Sequence, residues 1–248
     1  MSRKNRVIII SVIAIGIMMI WGIYQRKVEK EQRRQVVIEQ MKDYLRDKYN
    51  EEFECVSSYS FIASGELQHT FRGRFIPIGE PELEFSCTDN GSLGFTDGFL
   101  VMLGEKLMQP YGEQLCQQVF KNGERYLVYA EAIPDTKVSY KERPILQTFI
   151  DNQEKNRVSF NIVVSLYGEY EKEDIKQKAY EIGQLMKKSG IKTRGSVAIK
   201  VYDDSAEFIA DQGHNDDREG MSFKGILYRG YENEFTPEDV SIQDRFIL

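Results

Sequence analysis

The run Val7–Tyr24, VIIISVIAIGIMMIWGIY, contains no charged residue, and basic residues bracket it: Arg3, Lys4 and Arg6 before, Arg26 and Lys27 after. At about 1.5 Å rise per residue, a helix of this length falls just short of the ~30 Å hydrocarbon layer of a bilayer. A helix satisfies its own backbone hydrogen bonds, so an unbroken apolar run is costly in water and favourable in lipid. The run is apolar on every face, which argues against a core helix of a globular domain. Trp21 and Tyr24 suit the interface at its far end. A cleaved signal peptide needs small residues at its cleavage site, but Ile20-Trp21-Gly22-Ile23-Tyr24 closes this run. No cysteine follows before Cys55, which removes a lipid-modified N-terminal cysteine. The expectation is an uncleaved signal anchor, with Val7 to Tyr24 in the bilayer.

Orientation follows less directly. Three basic residues precede the run, and Arg26, Lys27, Lys30, Arg33 and Arg34 follow it, with Glu29 and Glu31 interleaved. The charge count alone favours a cytoplasmic C-terminal side. A short basic tail ahead of a first apolar helix is, however, the arrangement of a signal anchor whose long domain is exported. The bulk of the chain is therefore expected outside the cytoplasm.

The formal net charge of −6 hides an asymmetry. Residues 1–35 hold eight basic and two acidic residues; the remainder holds 25 basic and 37 acidic, a balance of −12. The basic part can meet anionic headgroups. The acidic part is a poor match for nucleic acid, which is bound by neutralising phosphates. Cys55, Cys87 and Cys116 are too few and too widely spaced for a disulfide scaffold, and there is no CxxC. Three buried free thiols, acting as small apolar residues, are expected.

After the run, residues 25–35 are polar helix formers without Gly or Pro, so one helix should leave the bilayer as a stalk. From there Val37, Ile38, Met41, Tyr44, Leu45 and Tyr49 form a stripe at helical spacing. Strands are expected over Phe53–Ala63, Leu67–Phe75 and Leu83–Thr88, where apolar and polar residues alternate or β-formers cluster. Asp97 caps a helix from Phe99, Pro110 starts a second piece ending at Asn122-Gly123, and Arg125–Ile133 is a further strand. Residues 134–156 are rich in charge, with a short helical turn around Leu146, Phe149 and Ile150. Val158–Leu166 alternates cleanly. Glu171–Ser189 is an amphipathic helix with Ile175, Ala179, Ile182, Leu185 and Met186 inward, stopped by Gly190. Val197–Val201 and Met221–Tyr231 read as strands around an acidic loop, Asp203–Gly220, and Thr236-Pro237-Glu238-Asp239 as a helix start.

The expected fold class is α+β: an N-terminal transmembrane helix continuing into a stalk, then two small domains of antiparallel sheet packed with helices. The expected divisions are residues 1–35 for anchor and stalk, 36–133 for an α-β-β-β-α-β domain, 134–156 for a linker, and 157–248 for a β-α-β-β domain.

No catalytic constellation is legible. His69 sits between Leu67 and Phe71 without a spaced acid, Cys or Ser partner, and reads as structural. His214 lies among Asp211, Asp216 and Asp217, but the order is not that of a calcium-binding loop. Gly91-Ser92-Leu93-Gly94 and the stretch Gly220–Gly225 match neither phosphate-binding glycine pattern. Glu80, Glu82 and Glu84 cluster, Glu82 and Glu84 on the outward face of a strand, while Glu105, Glu113 and Glu131 could approach one another. Tyr126, Tyr129, Tyr140, Tyr167, Tyr170, Tyr228 and Tyr231 recur near strand ends, where an apolar ring with a polar tip suits glycan or peptide binding as well as the rim of a core. No catalytic, cofactor or metal residues are assigned.

The phrase Tyr44-Leu45-Arg46-Asp47-Lys48-Tyr49-Asn50-Glu51-Glu52-Phe53-Glu54-Cys55-Val56, behind a basic tail, one apolar run and an amphipathic helix, resembles the start of small membrane-anchored proteins of Gram-positive bacteria. The resemblance covers residues 1–130, and Asn50 stands where those proteins have Gly. It implies a cell-surface location and a helix leading into a meandering sheet, and it brings no catalytic residues. The expected function is a single-pass, membrane-anchored, non-enzymatic binding protein of the bacterial cell envelope. Its partners would be the bilayer and a protein or envelope ligand, not nucleic acid. A carboxylate-based envelope hydrolase and a cytoplasm-facing tethered regulator are the alternatives.

Overall fold

A computed structural model describes residues 3–62, 69–135, 137–140, 142–192, 194–202, 221–230 and 236–244. Within these, the side chains of residues 3–17, 61, 62, 69, 221–230, 243 and 244 lie outside the description. The chain divides into two compact units, Met1–Pro81 with Ser86–Thr96, and Glu82–Phe85 with Asp97–Leu248.

The first unit is organised by one uninterrupted helix, α1 (Arg3–Tyr49). Its sequence has no internal Gly or Pro after Gly22, so nothing breaks it between the apolar run and the folded unit. Val37, Ile38, Met41, Leu45 and Tyr49 are buried, as their spacing predicts, and Tyr44 lies half-buried against the Phe95 ring, with centroids 5.5 Å apart. Among the described residues no helix is long and apolar enough to cross a membrane, and most of the run Val7–Tyr24 lies where side chains are not described. The helix ends at Asn50, whose φ of 54° is left-handed and whose N–H donates to the Arg46 carbonyl at 2.7 Å. Asn and Gly are the residues that tolerate this conformation.

The first sheet is a meander of β1 (Phe53–Ile62), β2 (His69–Pro77), β3 (Phe85–Asp89) and β4 (Phe95–Asp97) in that order. β1 and β2 are antiparallel, with Phe53 opposite Pro77 and Ile62 opposite His69. A bulge at Val56 interrupts β1, which is an edge strand, and such bulges discourage further strand addition. The alternation through Leu83, Phe85 and Cys87 holds: all three are buried, while Glu82 and Ser86 are exposed. The three-residue β4 was not legible.

The second unit contains α2 (Phe99–Val119), β5 (Arg125–Ile133), α3 (Leu146–Asp151), β6 (Ser159–Tyr167), α4 (Lys172–Lys188), β7 (Arg194–Tyr202), β8 (Met221–Gly230) and β9 (Ser241–Asp244). Its sheet runs β5-β6-β7-β8-β9. The β6–β7 pair is parallel and the rest antiparallel, so this sheet is mixed, where two antiparallel sheets were expected. A helix of α4's length between β6 and β7 is the crossover that a parallel pair requires. Ile175, Ala179, Ile182 and Met186 of α4 are buried, as are Phe160, Ile162, Val164 and Leu166 of β6 and Val197, Ile199 and Val201 of β7. Leu185 is only half-buried. α4 closes in a Schellman motif: Gly190, φ 92°, donates to the Lys187 carbonyl at 3.1 Å and Ile191 to that of Met186 at 3.1 Å.

Two further expectations are corrected. β5 pairs along its whole length with β6, from Arg125 opposite Tyr167 to Ile133 opposite Ser159. Residues 134–156 therefore join two neighbours of one sheet, and the division between units falls near Asp97. The charge-rich connection looks the same from sequence whether it joins domains or adjacent strands. α2, for its part, runs straight through Pro110. An internal proline costs about 3 kcal/mol or more, but the carbonyl it orphans is that of Lys106, whose residue is exposed. Met108, Gly112, Leu115 and Cys116 on the inner side are buried and hold the helix on course. The helix begins where expected, but Gly98 and not Asp97 is its N-cap; Asp97 ends β4, and its carboxylate accepts from the Phe99 N–H at 3.1 Å.

Candidate functional site

β5 is an edge strand, and α2 covers it. Gln109 performs the hydrogen bonding that a further strand would: its Nε2 donates to the Val128 carbonyl at 2.8 Å and its Oε1 accepts from the Ala130 N–H at 2.9 Å. Gly104 and Gly112 let the helix come close. A Cβ at Gly104 would overlap the Ala132 carbonyl oxygen, and one at Gly112 the Ala130 methyl. An open sheet edge is thus closed by a helix rather than by another strand.

The period of two along β5 then separates Val128, Ala130 and Ala132 from Tyr129 and Glu131. Register places Glu131 opposite Asn161 on β6, and Asn161 opposite Ser196 on β7. Their side chains form a line across three strands. Ser196 Oγ donates to Asn161 Oδ1 at 2.8 Å, and Asn161 Nδ2 donates to Glu131 Oε1 at 3.0 Å. Tyr129 Oη lies 3.1 Å from Glu131 Oε2 and 3.4 Å from Glu105 Oε2 of α2. Burial, and then the negative charges of Glu131 and Glu105, push the Tyr129 phenol well above its ordinary value and keep it neutral. All five residues are half-buried.

Farther along the same face, Ser165 stands opposite Lys200, and Tyr167 opposite Tyr202. The two rings stack with centroids 5.4 Å apart and planes 23° apart, and the Arg125 guanidinium sits 5.6 Å over Tyr167. Lys200 is 4% exposed. The face therefore grades from a polar ladder to a cation-flanked aromatic pair.

Chemically, the ladder is an organised set of donors and acceptors. Its two carboxylates converge on the one hydroxyl of Tyr129. A second concavity, about 570 Å³, opens beside α3 and is lined by Gln147, Asp151, Glu154, Lys155, Gly190 and Lys192. Its wall is pinned by Gln153, which donates to the carbonyls of Ile150 and Gly190 and accepts from the Lys192 N–H, at 2.7, 2.8 and 2.7 Å.

Of the residues weighed from sequence, Glu105 and Glu131 do meet, around Tyr129, whereas Glu113 accepts from Gln109 at 2.7 Å. Glu82 pairs with Lys106 at 2.8 Å. Residues 91–93 form a 3₁₀ turn in which the Gly91 N–H donates to Asp89, and residues 221–225 belong to strand β8, not to a phosphate-binding loop. Tyr126 stacks on Phe120, and Tyr140 meets Phe149 edge to face while its hydroxyl accepts from Asn156 at 2.8 Å, so both are structural. The side chains of His69 and Tyr228 lie outside the described residues, as do His214, Asp211, Asp216, Asp217 and Tyr231. Asn161 and Ser196 were missed, because only strand register brings them to Glu131. Among the described residues no group of three or more His, Cys, Asp or Glu side chains is placed to hold a metal ion. All three cysteines are free, with Cys87 and Cys116 buried and Cys55 partly so; burial pushes the Cys116 thiol up to about 12.

No family model matches the chain, and no curated protein is similar to it. Among solved structures it is similar to a DUF5037 family protein from Ruminococcus gnavus ATCC 29149, at 14% identity and a TM-score of 0.42, over 80% of this chain and 94% of that one.

Proposed function

We propose that this protein is a single-pass binding module of a bacterial cell envelope. Val7–Tyr24 holds it in the bilayer, and its folded part stands on the extracytoplasmic side. The observation that carries the reading is the continuity of α1: the charge-free run and the buried stripe from Val37 to Tyr49 belong to one helix of 47 residues. Anything that fixes the run in a membrane fixes the first unit beside it. The β5–β7 face supplies the binding chemistry, a row of half-buried polar groups formed by Ser196, Asn161, Glu131 and Tyr129, which suits a polar protein or glycan surface, while the Tyr167–Tyr202 stack beside it is buried and holds the face in place.

Fractionation tests the anchor. The intact chain should sediment with membranes and be released by detergent, while residues 36–248 alone should stay in the supernatant. Recovery of the intact chain in the soluble fraction without detergent defeats the proposal. Protease added to protoplasts tests the side: full protection of the folded part places it in the cytoplasm and favours a tethered regulator. The convergence of Glu105 and Glu131 motivates one catalytic alternative. Turnover of a cell-wall glycan or peptide by residues 36–248, abolished by Glu131→Gln, would replace binding with hydrolysis.

A further inference from the structure

The polar part of α1 behind the apolar run does not stand alone as a stalk. β1 climbs back alongside it. At the far end the Tyr49 and Phe53 rings meet with centroids 6.1 Å apart. Nearer the run, Arg34 Nε donates to Ser58 Oγ at 2.6 Å, and the Arg33 guanidinium lies 5.8 Å over the ring of Phe71 on β2. The strand pair continues past this level to Ile62 opposite His69. Four strand residues beyond Ser58 extend about 13 Å, which equals roughly nine residues of helix. That brings the end of the β1–β2 ladder to the level of Gln25, where the apolar run stops. Burial agrees: between Met18 and Arg33 every residue is exposed except Gln25 and Val28, which are half-buried. Close to this level α1 presents Arg26, Lys27 and Lys30, with Glu29 among them, all exposed, and Arg33 lies about 12 Å farther along the helix.

We propose that this end of the first unit, the close of the β1–β2 ladder together with Arg26, Lys27 and Lys30, seats in the anionic headgroup layer of the membrane that holds Val7–Tyr24. The proposal rests on the anchored reading and deepens it, because it removes the free stalk and fixes the unit upright against the bilayer. Charge complementarity selects the occupant. Each basic residue at an anionic surface contributes about 1 kcal/mol, and Arg26, Lys27 and Lys30 outnumber the one carboxylate among them, that of Glu29.

The test uses the full chain in vesicles of phosphatidylcholine and phosphatidylglycerol, with Cys55→Ser to remove the half-exposed thiol. A fluorophore is placed at Ile62→Cys or, in a second variant, His69→Cys. The comparison site is Ile78→Cys, which follows β2 at the opposite end, where the Ile78 N–H donates to Glu52. Trp21, the single tryptophan, reports on the anchor. A headgroup-attached nitroxide lipid should quench the label at residue 62 or 69 roughly twofold more than at residue 78, which sits about 35 Å farther from the run. A chain-attached nitroxide should quench Trp21. Quenched Trp21 with equal quenching at residues 62, 69 and 78 overturns the seating and leaves the anchor standing. Unquenched Trp21 overturns both. Replacing the anionic lipid by phosphatidylcholine should weaken the quenching at residue 62, and no change there would overturn the electrostatic assignment.

Discussion

Gly104→Ala separates two opposed forces. In an exposed helix interior this change stabilises by about 1 kcal/mol, because alanine loses less backbone freedom on folding. At Gly104 the new Cβ would overlap the Ala132 carbonyl oxygen, a backbone atom on the outer edge of β5 whose strand is fixed by its pairing with β6. The obstacle is not a side chain that can turn away, so α2 must retreat from the edge. Overpacking of this kind costs about 1–3 kcal/mol. Retreat also lengthens the Gln109 bonds to Val128 and Ala130, each with a net value of about 1 kcal/mol. The net expectation is a loss of roughly 1–4 kcal/mol after the propensity gain, or about 3–15 °C in melting temperature for a domain of this size. Urea and thermal unfolding followed by circular dichroism measure it, with native-state hydrogen exchange as the local readout. The Ala130 amide should exchange faster in the variant. A Gly104→Ala protein as stable as the parent, with unchanged protection at Ala130, would refute the account of α2 as the cover of the β5 edge. Gln109→Ala in the same background should add less than its separate cost, since both act through one gap.

Asn50→Val should lower stability by about 1–3 kcal/mol in thermal unfolding, because a β-branched residue is strained at a left-handed φ, whereas Asn50→Gly should stay near the parent. Tyr129→Phe removes the hydroxyl shared by Glu105 and Glu131, at a cost of about 1 kcal/mol near neutral pH. Its pH dependence has a definite sign. The folded phenol is held above its unfolded value of 10.0, so its stabilisation is present below pH 10 and is lost as the pH rises toward the folded value. The parent should therefore lose stability above pH 10 more steeply than Tyr129→Phe in unfolding curves taken across that range. Lys178→Ala breaks a largely buried pair with Glu124 at 3.0 Å and a contact 4.8 Å over the Phe120 ring, and should destabilise by about 2–4 kcal/mol in urea unfolding, with Lys178→Arg recovering part of the loss. Alkylation of the native protein at pH 8 should modify Cys55 alone, slowly because burial raises its thiol, and all three cysteines after unfolding, as intact mass would show.

Local periodicity carried much of the fold. The stripe Val37, Ile38, Met41, Leu45 and Tyr49, the alternation of β6, and the amphipathic α4 with its stop at Gly190 were legible because each segment must bury one face whatever its neighbours are. The left-handed φ of Asn50 at the end of α1 was not legible, since it depends on how the chain turns into β1. The short strands β4 and β9 were not legible, since three or four residues give no period. Pro110 misled, because its cost depends on where the orphaned carbonyl points.

Which segments pair was decided only in three dimensions. β5 could have closed either sheet; its pairing with β6 places Glu131 beside Asn161 and, through β7, beside Ser196. Residues thirty or more positions apart meet there because hydrogen-bond register aligns them, and register is a property of two strands that neither carries alone. The sequence by itself determined the charge-free run, its basic borders, the helix that follows and the acidic balance of the rest. These depend on composition and local spacing. The tertiary structure alone decided that β1 returns along that helix, setting Ser58 against Arg34, because a chain reversal fixes heights that no linear pattern encodes.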